Sequence, residues 1–141
     1  MIQLISTKEI DLRFSEVDSM GIVWHGSYAQ YFEEGREAFG KEYKLGYMDI
    51  FGAGYLAPLV SLDIQYKKVL TYPQKIKVET IYMPTDAAKI QFQYKIYNAE
   101  GELTTTGSSV QVFLDINRQL ILFNPDFYTQ WKNRYLNDES L

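Results

Sequence analysis

The sequence predicts an α+β fold in which a curved antiparallel sheet wraps around one long helix. Three observations predict it: an early strand, a single long helix with an aromatic face, and then about four consecutive strands. The aromatic face needs a sheet to cover it, and one helix covers only one face of that sheet. A plain two-layer α+β sandwich fits the same periodicity almost as well.

The first strand and the helix are separated by a loop over residues 15–26. The strand is predicted from apolar residues that alternate with polar ones, namely Ile10, Leu12 and Phe14. Ser27, with Gln30 three positions later, is typical of a capping box at a helix start. The loop therefore leads directly into the helix.

The predicted helix presents one face at helical spacing, formed by Tyr28, Phe32, Gly35 and Phe39. A glycine inside a helix costs about 1 kcal/mol relative to alanine. A close approach of the sheet at Gly35 would explain why it is tolerated there. Gly46 is the predicted end of the helix.

After a loop marked by Gly52 and Gly54, alternating residues predict four further strands, centred on residues 60–67, 76–82, 90–96 and 110–115. Aromatic residues make up 16% of the chain, and a large sheet explains them because they suit pleated, half-buried surfaces. Asn124 and Pro125 predict a final helix with proline at its first position.

Composition excludes several classes of protein. The 141 residues are 46% apolar and 23% charged, which is ordinary for one domain spanning residues 1–141. A net charge of −4 argues against nucleic-acid binding, and the absence of cysteine excludes disulfides and thiolate chemistry. No apolar stretch approaches the ~20 residues that cross a bilayer, and the amino terminus lacks a signal-peptide pattern. We expect a cytoplasmic protein without metal or redox cofactor.

The most informative segment runs from Asp18 to Tyr28 and places a carboxylate, a glycine turn and the only histidine just ahead of the helix start. A carboxylate can attack a carbonyl carbon or activate water. The unpaired N–H groups at a helix start can bind the oxyanion that this attack creates. An Asp followed by Gly is also ordinary turn chemistry, so the residues alone leave both interpretations open.

The run Asp18-x-x-Gly21-Ile22-Val23-Trp24-His25, with Tyr28 and the aromatic helix after it, closely resembles the 4-hydroxybenzoyl-CoA thioesterase family of hotdog-fold proteins. It is also similar to the short-chain acyl-CoA thioesterases of the tol-pal cluster, which carry His at the last position of the run. The resemblance is strongest from Arg13 to Phe39, and the order of elements agrees over nearly the whole chain. It implies the hotdog arrangement rather than a plain sandwich.

The resemblance implies a hydrolase of acyl thioesters, with acyl-CoA as the substrate and an acyl carrier protein thioester as the alternative. Asp18 takes the position of the catalytic carboxylate, as nucleophile or as general base. The backbone N–H of His25 takes the position that polarises the thioester carbonyl, and its imidazole is at most a helper. CoA enters as part of the substrate, and no separate cofactor is implied.

Further residues are candidates for substrate contact: Gly21, Val23, Trp24 and Tyr28 in the motif, and Lys67 and Lys68 outside it. The two lysines can meet the phosphates of CoA as point charges, and a solvated strand end explains them equally well. Trp24 has packing as its alternative role. Glu33 is a candidate acid, because some hotdog enzymes use an acid on the central helix; a solvated helix face that includes Glu33 and Glu34 is the alternative.

Three other functions fit the same residues. A related hotdog enzyme could hydrate or dehydrate an acyl thioester, which would require His25 or Glu33 as the base. A non-catalytic module could bind an acyl thioester without needing Asp18. A structural or interaction protein would need none of these residues.

Assembly is the last expectation from the sequence. A curved sheet that holds one helix still has an edge strand, and an open edge pairs readily with another chain. Thr80, Tyr82 and Tyr94, or the residues alternating with them, are candidates for a tyrosine-rich outer face. The resemblance implies sheets paired edge to edge with the active site between subunits, so we expect a homodimer or homotetramer.

Overall fold

A seven-stranded antiparallel sheet and three α-helices form the regular structure of the computed structural model, which describes residues 3–137. The ends of the predicted domain, residues 1–2 and 138–141, lie outside the described residues. The strands are β1 Ile5–Asp11, β2 Tyr55–Leu56, β3 Leu59–Tyr66, β4 Lys75–Met83, β5 Lys89–Tyr97, β6 Leu103–Asp115 and β7 Leu120–Ile121. The helices are α1 Tyr28–Tyr43, α2 Tyr47–Gly52 and α3 Asp126–Leu136, and two short 3₁₀ helices, Phe14–Glu16 and His25–Ser27, precede α1.

The five long strands lie in the order β1-β4-β5-β6-β3, and each neighbouring pair is antiparallel. The short strands β2 and β7 pair with the end of β6. The predicted α+β hotdog arrangement, with one strand, one long helix and then four long strands, is confirmed. Of the helices within residues 3–137, none has both the length and the apolar character to cross a membrane.

One face of the sheet packs on α1. Apart from Ile81, which is buried on the other face, the buried residues of β4 and β5 alternate along each strand: Ile76, Val78, Thr80, Tyr82, Ile90, Phe92, Tyr94 and Ile96. The buried face of α1 consists of the four predicted residues and two more, Tyr31 and Gly40. The hydrophobic effect therefore fixes both the register of the strands and the rotation of the helix.

Aromatic rings fill the space between the sheet and the helices. Phe32 of α1 stacks on Tyr94 of β5 with a centroid distance of 4.4 Å. The helix α3 packs its Trp131 into the same core, and the indole N–H donates to the carbonyl oxygen of Tyr43 at 2.6 Å. The sheet and its core thus account for much of the aromatic content.

The predicted outer face is wrong for the residues named. Thr80, Tyr82 and Tyr94 are at most 1% exposed, because their side of the sheet faces α1. The residues that alternate with them are mainly polar: Lys77, Glu79, Gln93 and Lys95. Exposed apolar side chains lie instead on the edge strand β3, where Val60 is 58% exposed and Leu62 is 37% exposed.

The first strand ends earlier than its alternation predicted. Ile10 and Leu12 are buried, but Phe14 is 77% exposed and lies in a 3₁₀ helix. The chain leaves the sheet after Asp11, the last residue that pairs with β4. A side chain beyond that point no longer faces the core, whatever its place in the alternation.

The end of α1 also differs from the prediction. The helix ends at Tyr43, where Lys44 adopts a left-handed conformation with φ 58°. Gly46 instead precedes α2, a short helix that the sequence did not predict. Since only Ile50 of its six residues is buried, the sequence of α2 shows no helical period.

Both predicted helix starts need correction. The Ser27 hydroxyl does not cap α1; it donates to the carbonyl oxygen of Glu16 at 3.0 Å. Pro125 stands one position before Asp126, the first helical residue of α3. Both helices are therefore confirmed. The predicted capping by Ser27 and the predicted helical position of Pro125 are not.

Two glycines allow α1 to lie close to the sheet. A Cβ atom added at Gly35 would lie 3.0 Å from a methyl carbon of Val78 and closer still to the Thr80 hydroxyl. A Cβ atom at Gly107 of β6 would lie 2.7 Å from a ring carbon of Phe32. The predicted close approach of the sheet at Gly35 is therefore confirmed.

Gly35→Ala should destabilise the protein. We expect overpacking to cost about 1–3 kcal/mol, which outweighs the gain of up to about 1 kcal/mol in helix propensity. Urea unfolding measures the difference. The control is Gly52→Ala, because a Cβ atom there meets nothing within 4 Å; an equal loss in both variants would contradict the close approach.

Candidate active site

The predicted catalytic segment forms a small hairpin that ends at α1. Val17 and Val23 pair across it, and Gly21 turns the chain with φ +76°. The segment after β3 holds it in place, since the Val23 N–H donates to the Leu70 carbonyl oxygen at 2.8 Å. The hairpin therefore presents its tip at a fixed distance from the helix start.

Asp18 caps the tip of this hairpin with only one of its carboxylate oxygens. Oδ1 accepts hydrogen bonds from the N–H groups of Met20 at 2.8 Å and Ile22 at 3.2 Å. Among the residues that the structure describes, Oδ2 has no hydrogen-bond partner. The half-buried carboxylate is thus held in orientation, with one oxygen left for chemistry.

The same turn occurs twice more in the chain, at Asn98 and at Asp115. In each, Oδ1 accepts from the N–H groups two and four residues later. Asn98 shows that an amide serves this turn as well as a carboxylate does. The negative charge of Asp18 is therefore not required by the turn that it caps.

The start of the helix supplies the predicted donor. Within residues 3–137, the backbone N–H of His25 has no hydrogen-bond acceptor, as is usual for the first residues of a helix. Tyr66 anchors the same residue from its carbonyl side, because the Tyr66 hydroxyl donates to the His25 carbonyl oxygen at 3.2 Å. The imidazole is exposed and lies against the Trp24 ring, with a centroid distance of 4.8 Å.

Asp18 and His25 lie on the same hairpin. Asp18 pairs with Ile22, which lies three residues before His25. One short segment therefore carries both the carboxylate and the N–H donor. Attack on a thioester carbonyl needs these two groups, each about 3 Å from the reacting atoms.

Glu16 is a central residue that the sequence analysis missed. It is 5% exposed, and its Oε1 accepts from the Arg13 N–H at 2.8 Å and from the Tyr31 hydroxyl at 2.9 Å. Its carbonyl oxygen accepts from the Trp24 N–H at 2.9 Å and from the Ser27 hydroxyl at 3.0 Å. One residue thus joins the loop, the hairpin and α1.

Tyr31 strengthens this junction and was also missed. Burial raises the pKa of its hydroxyl, and the hydrogen bond to Glu16 raises it further. The phenol therefore stays protonated at neutral pH and remains a donor to the carboxylate. No spacing in the sequence indicates this pair, because the two residues are fifteen positions apart and only the fold joins them.

The other predicted residues of the motif have different environments. Val23 and Tyr28 are buried at 4% and 3% exposure, so they form the wall behind the hairpin. The ring of Trp24, which is 55% exposed, lies directly over Gly26. A side chain at Gly26 would collide with that ring. The substrate contacts predicted for these residues and for Gly21 stay predictions.

The two lysines lie at the end of β3, where the N–H groups of Lys67 and Lys68 both donate to the Thr104 carbonyl oxygen. The Lys68 ammonium forms an ion pair with Glu102. The hydrogen bonds from Lys68 and Asn98 lower the pKa of the Glu102 carboxyl. Lys67 is exposed beside them and is the more available of the two for a phosphate.

A cleft of about 540 Å³ lies between α1, α2 and the sheet, and we call it the α1–α2 cleft. Glu33, the predicted acid of the central helix, is on its rim rather than in the hairpin. Among residues 3–137, no three carboxylate or histidine side chains converge on a point where a metal ion could bind. Hydrolysis without a metal stays a prediction.

A sheet wrapped around a helix, with a carboxylate turn at the helix start, defines a hotdog protein with the layout of a thioester hydrolase. The comparison with families agrees, because residues 12–131 match the thioesterase-like superfamily. The chain belongs to that superfamily. The branch that the sequence indicated, 4-hydroxybenzoyl-CoA or tol-pal type, stays a prediction.

Individual relatives extend this result. YneP of Bacillus subtilis (strain 168), whose name assigns it to the acyl-CoA thioesterases, is 38% identical over 79% of this chain and 80% of its own. A DHNA-CoA thioesterase from Staphylococcus aureus has a TM-score of 0.82 and 32% identity, over 97% of this chain and 95% of its own. A 1,4-dihydroxy-2-naphthoyl-CoA thioesterase from Synechocystis has a TM-score of 0.79 and 18% identity, over 96% of this chain and 98% of its own. The last likeness shows the fold alone.

Asp18→Asn should abolish most hydrolysis and leave the fold intact. Asn98 supports the same turn as an amide, so the variant keeps its hydrogen bonds and loses only the charge and the reactive oxygen. We expect thiol release from acyl-CoA to fall at least ~100-fold, as for loss of a general base or nucleophile. The matched control is Asp115→Asn, which removes a carboxylate from an identical turn.

Circular dichroism and acyl-CoA binding should be unchanged in both variants. Turnover near the wild-type rate in Asp18→Asn would remove Asp18 from the mechanism. An equal loss in Asp115→Asn would assign the effect to net charge or stability.

Proposed function

We propose that the protein is an acyl-CoA thioesterase in which Asp18 is the catalytic carboxylate. The observation that carries the proposal is that one hairpin holds both the half-bound carboxylate of Asp18 and the N–H of His25, which has no acceptor among the described residues. Family membership and the name of the 38% identical relative YneP support the acyl-CoA substrate. A cytoplasmic location, where acyl-CoA is made and used, belongs to the same proposal.

Two routes fit the geometry. Oδ2 of Asp18 attacks the thioester carbonyl carbon, the C–S bond breaks, and water then hydrolyses the mixed anhydride. Alternatively, Oδ2 accepts a proton from water as the water attacks the same carbon. In both routes CoA leaves as a thiolate, which is a stable leaving group, so a strong general acid is not needed.

The His25 N–H stabilises the charge that develops on the carbonyl oxygen. Removing one donor of this kind costs roughly 2.7–4 kcal/mol of transition-state stabilisation. The donor is part of the backbone, and Glu16 holds the peptide beside it through the Trp24 N–H. The orientation is therefore set before the substrate binds.

The acyl group to test first is 1,4-dihydroxy-2-naphthoyl. The Staphylococcus aureus structure, 32% identical over nearly the whole chain, is named for DHNA-CoA. A panel of acyl-CoA thioesters with a thiol-reactive dye tests the class and the acyl group together. Absorbance at the enoyl thioester band in the same reactions detects hydration or dehydration, the competing chemistry. Binding of acyl-CoA without turnover would indicate a non-catalytic module.

A dimer through β3 completes the proposal. Among the described strands, β3 pairs only with β6, so its other edge is open. Its side chains include the exposed apolar residues Leu59, Val60, Leu62 and Tyr66. A hydrophobic open edge is suited to pairing with the same strand of a second copy.

Such a dimer would bring unlike parts of two subunits together. If two copies of β3 pair antiparallel, the Tyr66 end of one strand lies beside the Leu59 end of the other. Tyr66 contacts His25, and the residues that precede Leu59 line the α1–α2 cleft. Each catalytic hairpin would then face the cleft of the partner subunit, and tetramers would form by packing of dimers.

His25→Ala should lose much less activity than Asp18→Asn. The backbone N–H remains in the variant, and the imidazole that is removed is exposed. We expect a loss under about ten-fold, with both limbs of the pH profile of kcat/KM retained. A loss as deep as that of Asp18→Asn, with one limb missing, would assign acid or base work to the imidazole.

The double variant Val60→Lys/Leu62→Lys should dissociate the dimer and abolish turnover. Two charges on an open edge oppose pairing with another strand. Light scattering should show a wild-type mass at least twice 16.5 kDa and a variant mass equal to one chain. The matched control is Leu122→Lys, at a site that is 83% exposed outside the long strands. A fully active wild-type monomer would contradict this assembly.

A further inference from the structure

The α1–α2 cleft has an apolar floor and a charged rim. The floor is formed by the buried residues Leu45, Ile50, Ile90 and Phe92. Leu56 and Ala57 line the cleft where the chain enters β3. At about 540 Å³, the cleft has the size of an ordinary small-molecule site. The chain continues from these lining residues into β3, the edge strand of the proposed dimer.

One cation on the rim is anchored and has spare donors. Nη1 of Arg36 donates to the Tyr94 hydroxyl at 3.0 Å, and the guanidinium carbon lies 6.0 Å from the centre of the Tyr94 ring. The Tyr94 hydroxyl in turn bonds to Ser109. Tyr94 is buried, so its hydroxyl and ring provide a packed anchor for the Arg36 guanidinium.

Within the part of the chain that the structure describes, Arg36 is not neutralised by an acidic side chain. Among residues 3–137, no carboxylate lies within ion-pair distance of its guanidinium. Of its five N–H donors, Tyr94 uses one. A half-buried arginine with unused donors above an apolar floor is suited to binding an oxygen atom of a ligand.

The surrounding charge selects among possible ligands. Three carboxylates line the cleft, those of Glu33, Glu37 and Asp49, against two cations, Arg36 and Lys41. Lys41 is already paired with Glu37 at 3.4 Å. The lining thus carries one more carboxylate than cations, which favours a neutral hydroxyl oxygen over an anionic group as the acceptor for Arg36.

We propose that Arg36 is a specificity-determining residue that donates a hydrogen bond to a ring hydroxyl of an aromatic acyl group in the α1–α2 cleft. The proposal rests on the proposed thioesterase function, and it names the acyl class as hydroxylated aromatic. The ring lies on the apolar floor near Phe92, and the thioester extends through the opening toward Asp18 of the partner subunit. Arg36 does not take part in the reaction itself.

The test compares two thioesters that differ only in hydroxyl groups, 1,4-dihydroxy-2-naphthoyl-CoA and 2-naphthoyl-CoA. The wild-type protein should prefer the hydroxylated thioester in kcat/KM. Arg36→Met should reduce that ratio at least about ten-fold, the effect expected for a hydrogen bond to a charged group, and leave kcat for 2-naphthoyl-CoA near the wild-type value. Arg36→Lys, which keeps a charge but not the fork geometry, should retain part of the ratio.

Lys41→Met is the matched control, because it removes a positive charge from the same rim. Its selectivity ratio should equal that of the wild type. Tyr94→Phe removes the hydroxyl that anchors Arg36 and keeps the ring, so it should lower the ratio partly. Thermal unfolding of each variant identifies any loss of folding. An unchanged ratio in Arg36→Met, or an equal decrease in Lys41→Met, would overturn the proposal.

Binding separates this proposal from the thioesterase function. Calorimetry with the Asp18→Asn variant measures the affinity for both thioesters without turnover. Stronger binding of the hydroxylated thioester, lost on adding Arg36→Met, supports the role of Arg36 even if the wild-type protein hydrolyses neither compound. Hydrolysis of both compounds with no dependence on Arg36 supports the thioesterase and refutes the role of Arg36.

Discussion

Helix α1 lies so close to the sheet that glycine is needed on both sides of the contact, at Gly35 on the helix and at Gly107 on β6. This contact fixes the height of the helix above the strands, and the buried aromatic residues then fix its rotation. Phe32, which packs over Gly107, stacks on Tyr94 at 4.4 Å. The amino-terminal end of α1 therefore emerges at a defined point, and the hairpin that carries Asp18 is built against that point.

The chemistry of the site arises from location more than from local structure. Asp18, Asn98 and Asp115 cap the same type of turn with the same hydrogen bonds. Of these three turns, that of Asp18 leads into α1, where an N–H group has no acceptor among the described residues. Glu16 fixes the position of the hairpin relative to the helix start, because its carboxylate and its carbonyl oxygen bond to the loop, the hairpin and α1.

The distribution of exposed apolar residues connects the fold to assembly. The outer face of β4 and β5 carries mainly polar residues, which suits contact with water. The apolar residues of β3 are exposed at an edge whose backbone groups have no partner among the strands that the structure describes. The α1–α2 cleft begins where this edge begins, since residues 55–57 line the cleft and lead into β3. One edge thus joins the proposed interface to the proposed acyl pocket.

The sequence by itself determined the order of the long strands and of helices α1 and α3, the buried face of α1 and the candidate carboxylate. Periodicity and motif spacing are local properties, and hydrophobic burial follows them closely. Only the tertiary structure decided that Phe14 is exposed, that Tyr82 and Tyr94 face the core, and that α2 exists. It also decided the roles of Glu16 and Arg36, because their partners Tyr31 and Tyr94 lie fifteen and 58 positions away in the chain. Contacts over such distances depend on strand register and helix rotation, and these are set by the packing of the whole core.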